Sequence, residues 1–198
     1  MRGLRAFLIV FGLLLFVAPA GASVSFTVVF DALVQESTAV VVETPIESKS
    51  VWENGHIVTY TKVHVDRLIA GSAPSEVWVE TLGGVVGDIG QQVEGEAVLR
   101  SGQQSLLFLA AYQTGYVVTA RGQGQFPIAR DNAGALRVKR NLHPGALTAP
   151  RDTVVARVRA ATSYAPAASP AADVLDGKSI ADAAAEISGA WRRTHASP

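Results

Sequence analysis

The 198-residue chain contains no cysteine, a single methionine and only four histidines. Without cysteine there can be no disulfide, no thiol nucleophile, no lipid attached to a cysteine after leader removal and no thiolate-ligated metal, so stability must come from the core alone. The histidines, His56, His64, His143 and His195, include no His-Glu-x-x-His pair, and no serine sits in a Gly-x-Ser-x-Gly elbow. No Gly-Lys-Ser/Thr ending follows Gly83, Gly84, Gly87 or Gly90. Gly83, Gly84, Gly87 and Gly90 are not followed by the helical period that a dinucleotide-binding turn requires. Neither a metal nor another cofactor is expected, and nothing in the chain points to a nucleic-acid partner.

One long apolar run is present, at the start. In MRGLRAFLIVFGLLLFVAPAGAS, Arg2 and Arg5 precede an apolar stretch from Ala6 to Ala18 that closes on Ala20-Gly21-Ala22. The basic, apolar and small-residue regions follow in the order of a secretory signal peptide. Thirteen residues fall short of the roughly 20 that cross a bilayer. Residues 1–22 therefore read as a leader, Ser23 as the mature N-terminus and the product as secreted or periplasmic, with no transmembrane span after cleavage.

Neither sign of charge is in excess over the whole chain, with 17 basic and 17 acidic residues, but the two parts differ. Ser23 to Ala120 carries 4 basic and 11 acidic residues, and Arg121 to Pro198 carries 11 and 6. The second part is either a basic arm that folds back onto an acidic domain or one that seeks an anionic partner such as the cell envelope.

The hydrophobic pattern predicts a mainly β protein. Phe26, Val29, Phe30, Leu33 and Val34 fall on one helical face, so a short N-terminal helix is expected. Two long strands then meet at Asn54-Gly55, a pair that accepts the positive φ of a hairpin turn. Pro45 predicts a bulge or an edge in the first of them. EVWVETL, QSLLFLAAY and GYVVTARG supply three more strands, and VEGEAVL a short extra one. Five strands of this size close most economically into an antiparallel barrel of the oligonucleotide/oligosaccharide-binding (OB) type. A β-sandwich is the alternative. The glycines from Gly83 to Gly90 then serve as corners.

The expected organisation is a β-barrel domain over 23–128 and a basic arm over 129–161 with a short helix near Val154 to Ala161. An Ala/Pro-rich linker and a final amphipathic helix follow over 162–198, with Ile180, Ala184, Ile187 and Trp191 on its stripe. That helical, partly disordered appendage has three possible fates: docking on the barrel, meeting a partner or staying disordered.

Parity selects the candidate site. Ile57, Thr59, Thr61, Val63 and Val65 are β-branched and should face inward, which turns Tyr60, Lys62, His64 and Asp66 outward. Val77 and Val79 likewise turn Trp78 outward beside Glu80. Tyr60, Lys62, His64 and Trp78 are therefore the candidate ligand-binding residues. His64 with Asp66 is the one local base-plus-carboxylate arrangement from which a hydrolase could be built, while Glu94 and Glu96, on one face of a strand, read as surface charges.

The succession VVVETPIESKSVWENGHIVTYTKVHVDRLIAG, then VETLGGVVGDIGQQVEGEAVLRSGQQSLLFLAAYQTGYVVTARGQGQFPI, resembles a group of uncharacterised secreted bacterial proteins with the same order of hairpin, Gly-Gly-x-x-Gly segment and Gly-x-x-x-Leu-Phe-Leu strand. Their genes often lie beside matrixin-like metalloproteases. The strand order is similar to the netrin-type barrels of tissue metalloprotease inhibitors. The resemblance implies an exported partner, a secreted metalloprotease among the candidates. In the inhibitors a disulfide-held N-terminal Cys-x-Cys chelates the protease zinc through backbone atoms. Here Ser23-Val24-Ser25 stands in that place, with only the helix expected from Phe26 to anchor it. The expectation is thus an exported, non-enzymatic interaction module, with a His64/Asp66 hydrolase or an envelope-associated protein held by its basic arm as alternatives.

Overall fold

The computed structural model describes residues 24–148 and 169–196. The chain is mainly β, and its centre is a long hairpin. β2 (Ala39–Glu53) and β3 (His56–Gly71) pair antiparallel along their whole length. Asn54 and Gly55 join them at φ 50° and 81°, the left-handed pair that matches the twist of the flanking strands. β4 (Glu76–Leu82) lies antiparallel beside β3, and β7 (Ser105–Tyr112) pairs with Ala39 to Glu43 of β2. β8 (Gly115–Val118) pairs antiparallel with β7 and parallel with β4 through Val79 and Glu80. The five strands expected from sequence are all present, and these pairings connect them in the ring β7-β2-β3-β4-β8. The bulge predicted near Pro45 lies between Pro45 and Glu47, with Ile46 pushed out to solvent.

The Gly-rich segment is a hairpin of its own. β5 (Gly84–Val86) and β6 (Ile89–Gln91) pair antiparallel through a turn at Gly87. Gly84 is required where the hairpin meets the long ribbon: a Cβ there would stand 2.2 Å from the Thr59 hydroxyl and 2.5 Å from that of Ser50. VEGEAVL is irregular rather than a strand, because the backbone from Val93 to Leu99 folds against other parts of the chain. Gly95, at φ 74°, approaches the Pro144 carbonyl, and both amide atoms of Gln125 bond the backbone of Val98.

Apolar side chains pack on both sides of β2 and β7. Alternation sends Ala39, Val41, Leu107 and Leu109 to one side, where Val63, Val77, Val79 and Val118 join them. Val40, Val42, Leu106 and Phe108 go to the other, against helices and the last strands. The N-terminal segment is two elements rather than one helix. β1 (Val24–Phe26) is a strand, and the helix α1 (Phe30–Gln35) starts four residues after Phe26, burying Phe30, Leu33 and Val34. Phe26 leaves the helical stripe because β1 pairs in parallel with β11 (Ala146–Thr148).

Residues of the basic segment also build structure. β9 (Gln125–Arg130) extends the sheet beyond β7, and β10 (Leu136–Val138) pairs with β9. Arg121 lies 3.8 Å from Glu96, Arg137 pairs with Asp131 at 2.8 Å, and Arg140 reaches both Asp173 and Asp176. The described part of the arm is thus folded back and spends much of its charge within the chain. The helix expected near Val154 to Ala161 and most of the linker lie outside the described residues.

Of the three fates open to the C-terminal helix, docking is the one found. α2 (Ala171–Leu175) and α3 (Ile180–Thr194) bury Ala171, Leu175, Ala183, Ile187 and Ala190 in the same cluster as Phe108 and Phe126, so they are part of the main core and not an appendage. The stripe looks thin in sequence because three of its members are alanines, which let α3 approach closely. Ser179 caps α3 by accepting from the Asp182 backbone N–H. Arg193 reaches the buried Asp31 of α1 at 3.1 Å.

Candidate functional site

The outward face of β2, β3 and β4 carries the residues singled out from sequence. Ile57, Thr61 and Val63 are buried, as are Val77 and Val79, whereas Thr59 and Val65 are half-buried and Val58, on the outward parity, is buried too. Tyr60 stands between Lys49 and Glu80, Lys62 between Glu47 and Trp78, and His64 between Thr44 and Glu76. Tyr60 and Trp78 are diagonal neighbours, within reach of each other for rings of this size.

Polar contacts hold this face in shape. The Tyr60 hydroxyl donates to the Glu53 carboxylate, 3.0 Å from each oxygen. Desolvation, that hydrogen bond and the charges of Glu80 and Glu53 push the Tyr60 phenol up to about 12. Glu80 is raised above the ordinary carboxylate range by desolvation and then by Glu53. Lys62 pairs with Glu76 at 2.5 Å, which raises the lysine and lowers the carboxylate.

A third ring was missed in sequence. Tyr112, at the end of β7, is 45% exposed, and Trp78 is 40% exposed. Tyr112 pairs with Gly115, and the alternation that turns Tyr116 and Val118 inward turns Gly115 and Tyr112 outward. A Cβ on Gly115 would lie 2.8 Å from the Trp78 carbonyl oxygen. Glycine therefore lets β8 approach β4 and places no side chain of its own beside the two rings. The signal was available in AAYQTGY, but Tyr112 counts as an outward residue only once its pairing with Gly115 is known.

Among the described residues the Asp66 carboxylate is bonded to Thr44, the residue opposite His64, and to Gln104, and not to His64 itself. Asp66 has no partner of its own on β2, since Val42 is opposite Arg67 and Glu43 opposite Val65. It is the extra residue of a bulge. Its carboxylate accepts from Thr44 Oγ1 at 2.7 Å and Gln104 Nε2 at 2.8 Å. Glu94 and Glu96 differ: Glu94 is exposed, but Glu96 is buried and not the surface charge expected. Burial raises its carboxyl, and the backbone N–H of Ala97 and the Arg121 charge partly offset this.

Sequence reasoning also passed over Glu43. It continues the alternation Ala39, Val41, Glu43 on the side of Val63, Val77 and Val79, is fully buried and has no hydrogen-bond partner on either oxygen among the described residues. Desolvation first, and Asp66 second, push its carboxyl up to about 8. Extending the parity count by one residue would have found it.

Among the described residues no group of three or more His, Asp or Glu is placed to hold a metal ion, and no helix is long and apolar enough to cross a membrane. A cavity of about 190 Å³ lies between β1, the turn at Gly122 and α2. The polar side chains around it are committed: Gln123 bonds the backbone of Phe26 and Val28, Asn141 bonds Gly122, and Arg140 pairs with two aspartates. The helices α1 and α3 pack near the Ala70 end of β3 and leave the Tyr60 to His64 stretch uncovered among the described residues. No protein-family model, curated protein or solved structure matches the chain.

Proposed function

We propose that the protein is an exported, non-enzymatic binding module whose ligand surface is the outer face of β3 and β4 around Tyr60, Lys62, His64 and Trp78. The observation that carries this reading is the solvent exposure of Trp78 and Tyr112, large rings on a sheet face that no described helix covers, with only Gly115 of β8 between their strands. The pairing of β8 with both β4 and β7 supports reading the five strands as a small OB-type barrel. In such barrels the face of the second and third strands takes the ligand. The leader-like pattern of Met1 to Ala22 supports export to the periplasm or medium. The resemblance to proteins encoded beside matrixin-like proteases makes a secreted metalloprotease the first partner to try. β1 gives the N-terminal segment an anchor that sequence reasoning lacked, since Thr27 bonds Thr148 and Gln123 bonds Phe26 and Val28. That anchor fixes the start of the described chain independently of disulfides.

Capture from the exported fraction on immobilised protein tests the reading. Proteins retained by the wild type should be lost with Trp78→Ala and kept with Leu142→Ala, a change at an exposed residue far along the chain. Retention that ignores Trp78 and Tyr112 alike would remove this face from consideration.

A further inference from the structure

The outer face of β2 to β4 is an unpartnered sheet face, and its chemistry narrows what fits it. Resting on the binding-face reading above, we infer that it recognises a cationic side chain, a guanidinium or an ammonium, presented by a partner protein. The rings supply the first half of the argument. Tyr60, Trp78 and Tyr112 offer π faces, and a cation over such a face is attracted by the ring quadrupole. Charge complementarity supplies the second. Glu47, Glu53, Glu76 and Glu80 stand on or beside this face, against Lys49 and Lys62 and the imidazole of His64. Lys62 is committed to Glu76. Around Tyr60, desolvation and then the nearby Glu53 charge disfavour ionisation of Glu80, and Glu53 already takes the one hydrogen the phenol can give. A guanidinium there would bring hydrogen-bond donors and positive charge to two carboxylates and a ring together, which a neutral or acidic ligand cannot do. The whole chain carries 17 basic and 17 acidic residues, so the attraction is local to this face and not a long-range pull.

Calorimetric titration of the protein with an alternating Gly-Arg peptide, and with its neutral citrulline counterpart, tests this at low ionic strength. The arginine peptide should bind and the citrulline peptide should not. Trp78→Leu and Glu80→Gln, at positions accessible enough to leave the fold intact by circular dichroism, should each weaken binding by about 2- to 30-fold. Glu80→Gln should also reduce the salt dependence, and Leu142→Ala should change nothing. No binding of the arginine peptide, equal binding of citrulline, or binding indifferent to both substitutions would overturn the inference. If capture of an exported protein depends on Trp78 but not on Glu80, the binding face stands and the cation does not. If it depends on neither, both fall.

Discussion

Replacing Glu43 with glutamine should raise the stability of the protein at neutral and alkaline pH, and by an amount that grows with pH. Glu43 is fully buried, and neither oxygen has a hydrogen-bond partner among the described residues. Its carboxyl titrates near 8 in the folded chain against an ordinary 4.5. Between those values the folded state keeps a proton that the unfolded chain has released. With fewer protons bound in the unfolded state, stability must fall as pH rises through this window. Each pH unit costs a little over 1 kcal/mol, so from about pH 5 to about pH 8 the loss is on the order of 3 to 4 kcal/mol. Glutamine has nearly the same shape and cannot ionise, so it removes this slope. Glu80 and Glu96 are raised as well, and Glu76, Asp131 and Asp176 are lowered, but they contribute to both proteins and cancel in the difference. Urea denaturation of wild type and Glu43→Gln across this range measures it directly. The difference should widen with each step up in pH, and Asp66→Asn should narrow it by removing the nearest like charge. Parallel curves from pH 5 to pH 8 would refute the reasoning and mean that the Glu43 carboxyl finds a partner or water when ionised.

Further outcomes follow from packing. Ile187→Ala, which empties a fully buried position between α3 and the sheet, should cost about 2 to 5 kcal/mol in the same assay. Gly71→Ala should be worse tolerated than Gly55→Ala: both sites have positive φ, but a Cβ at Gly71 meets the Thr38 carbonyl oxygen at 2.1 Å whereas one at Gly55 meets nothing. Gly55→Ala should cost about 1 to 2 kcal/mol and leave the hairpin intact by circular dichroism. Arg193→Ala should destabilise by about 1 to 3 kcal/mol, because it takes a charge-assisted partner from the buried Asp31 carboxylate.

Much of the central sheet was legible because its signals are local. The Asn54-Gly55 turn, the bulge at Pro45 and the inward parity of Ile57, Thr61 and Val63 each follow from a few neighbouring residues. Long-range pairing is where sequence reasoning stopped. Nothing near Phe26 announces that β1 will lie beside Ala146 to Thr148, and the alanines of α3 become an apolar stripe only against Phe108 and Phe126. In the site, Tyr60, Lys62 and Trp78 were found by alternation. The bulge at Asp66 was not foreseen because it is set by the register of β2 and β3, and Tyr112 was missed because its direction depends on pairing with Gly115.

Site-directed photo-crosslinking tests the central claim most directly, that the outer face of β3 and β4 is where a partner binds. A benzophenone amino acid placed in turn at Trp78, Tyr112, Val85 and Leu142, all solvent-exposed positions, would be irradiated in the exported fraction. The account predicts crosslinked product from positions 78 and 112 and none from 85 or 142. Crosslinking from 85 or 142 with none from 78 and 112 would contradict it and move the binding surface elsewhere on the molecule.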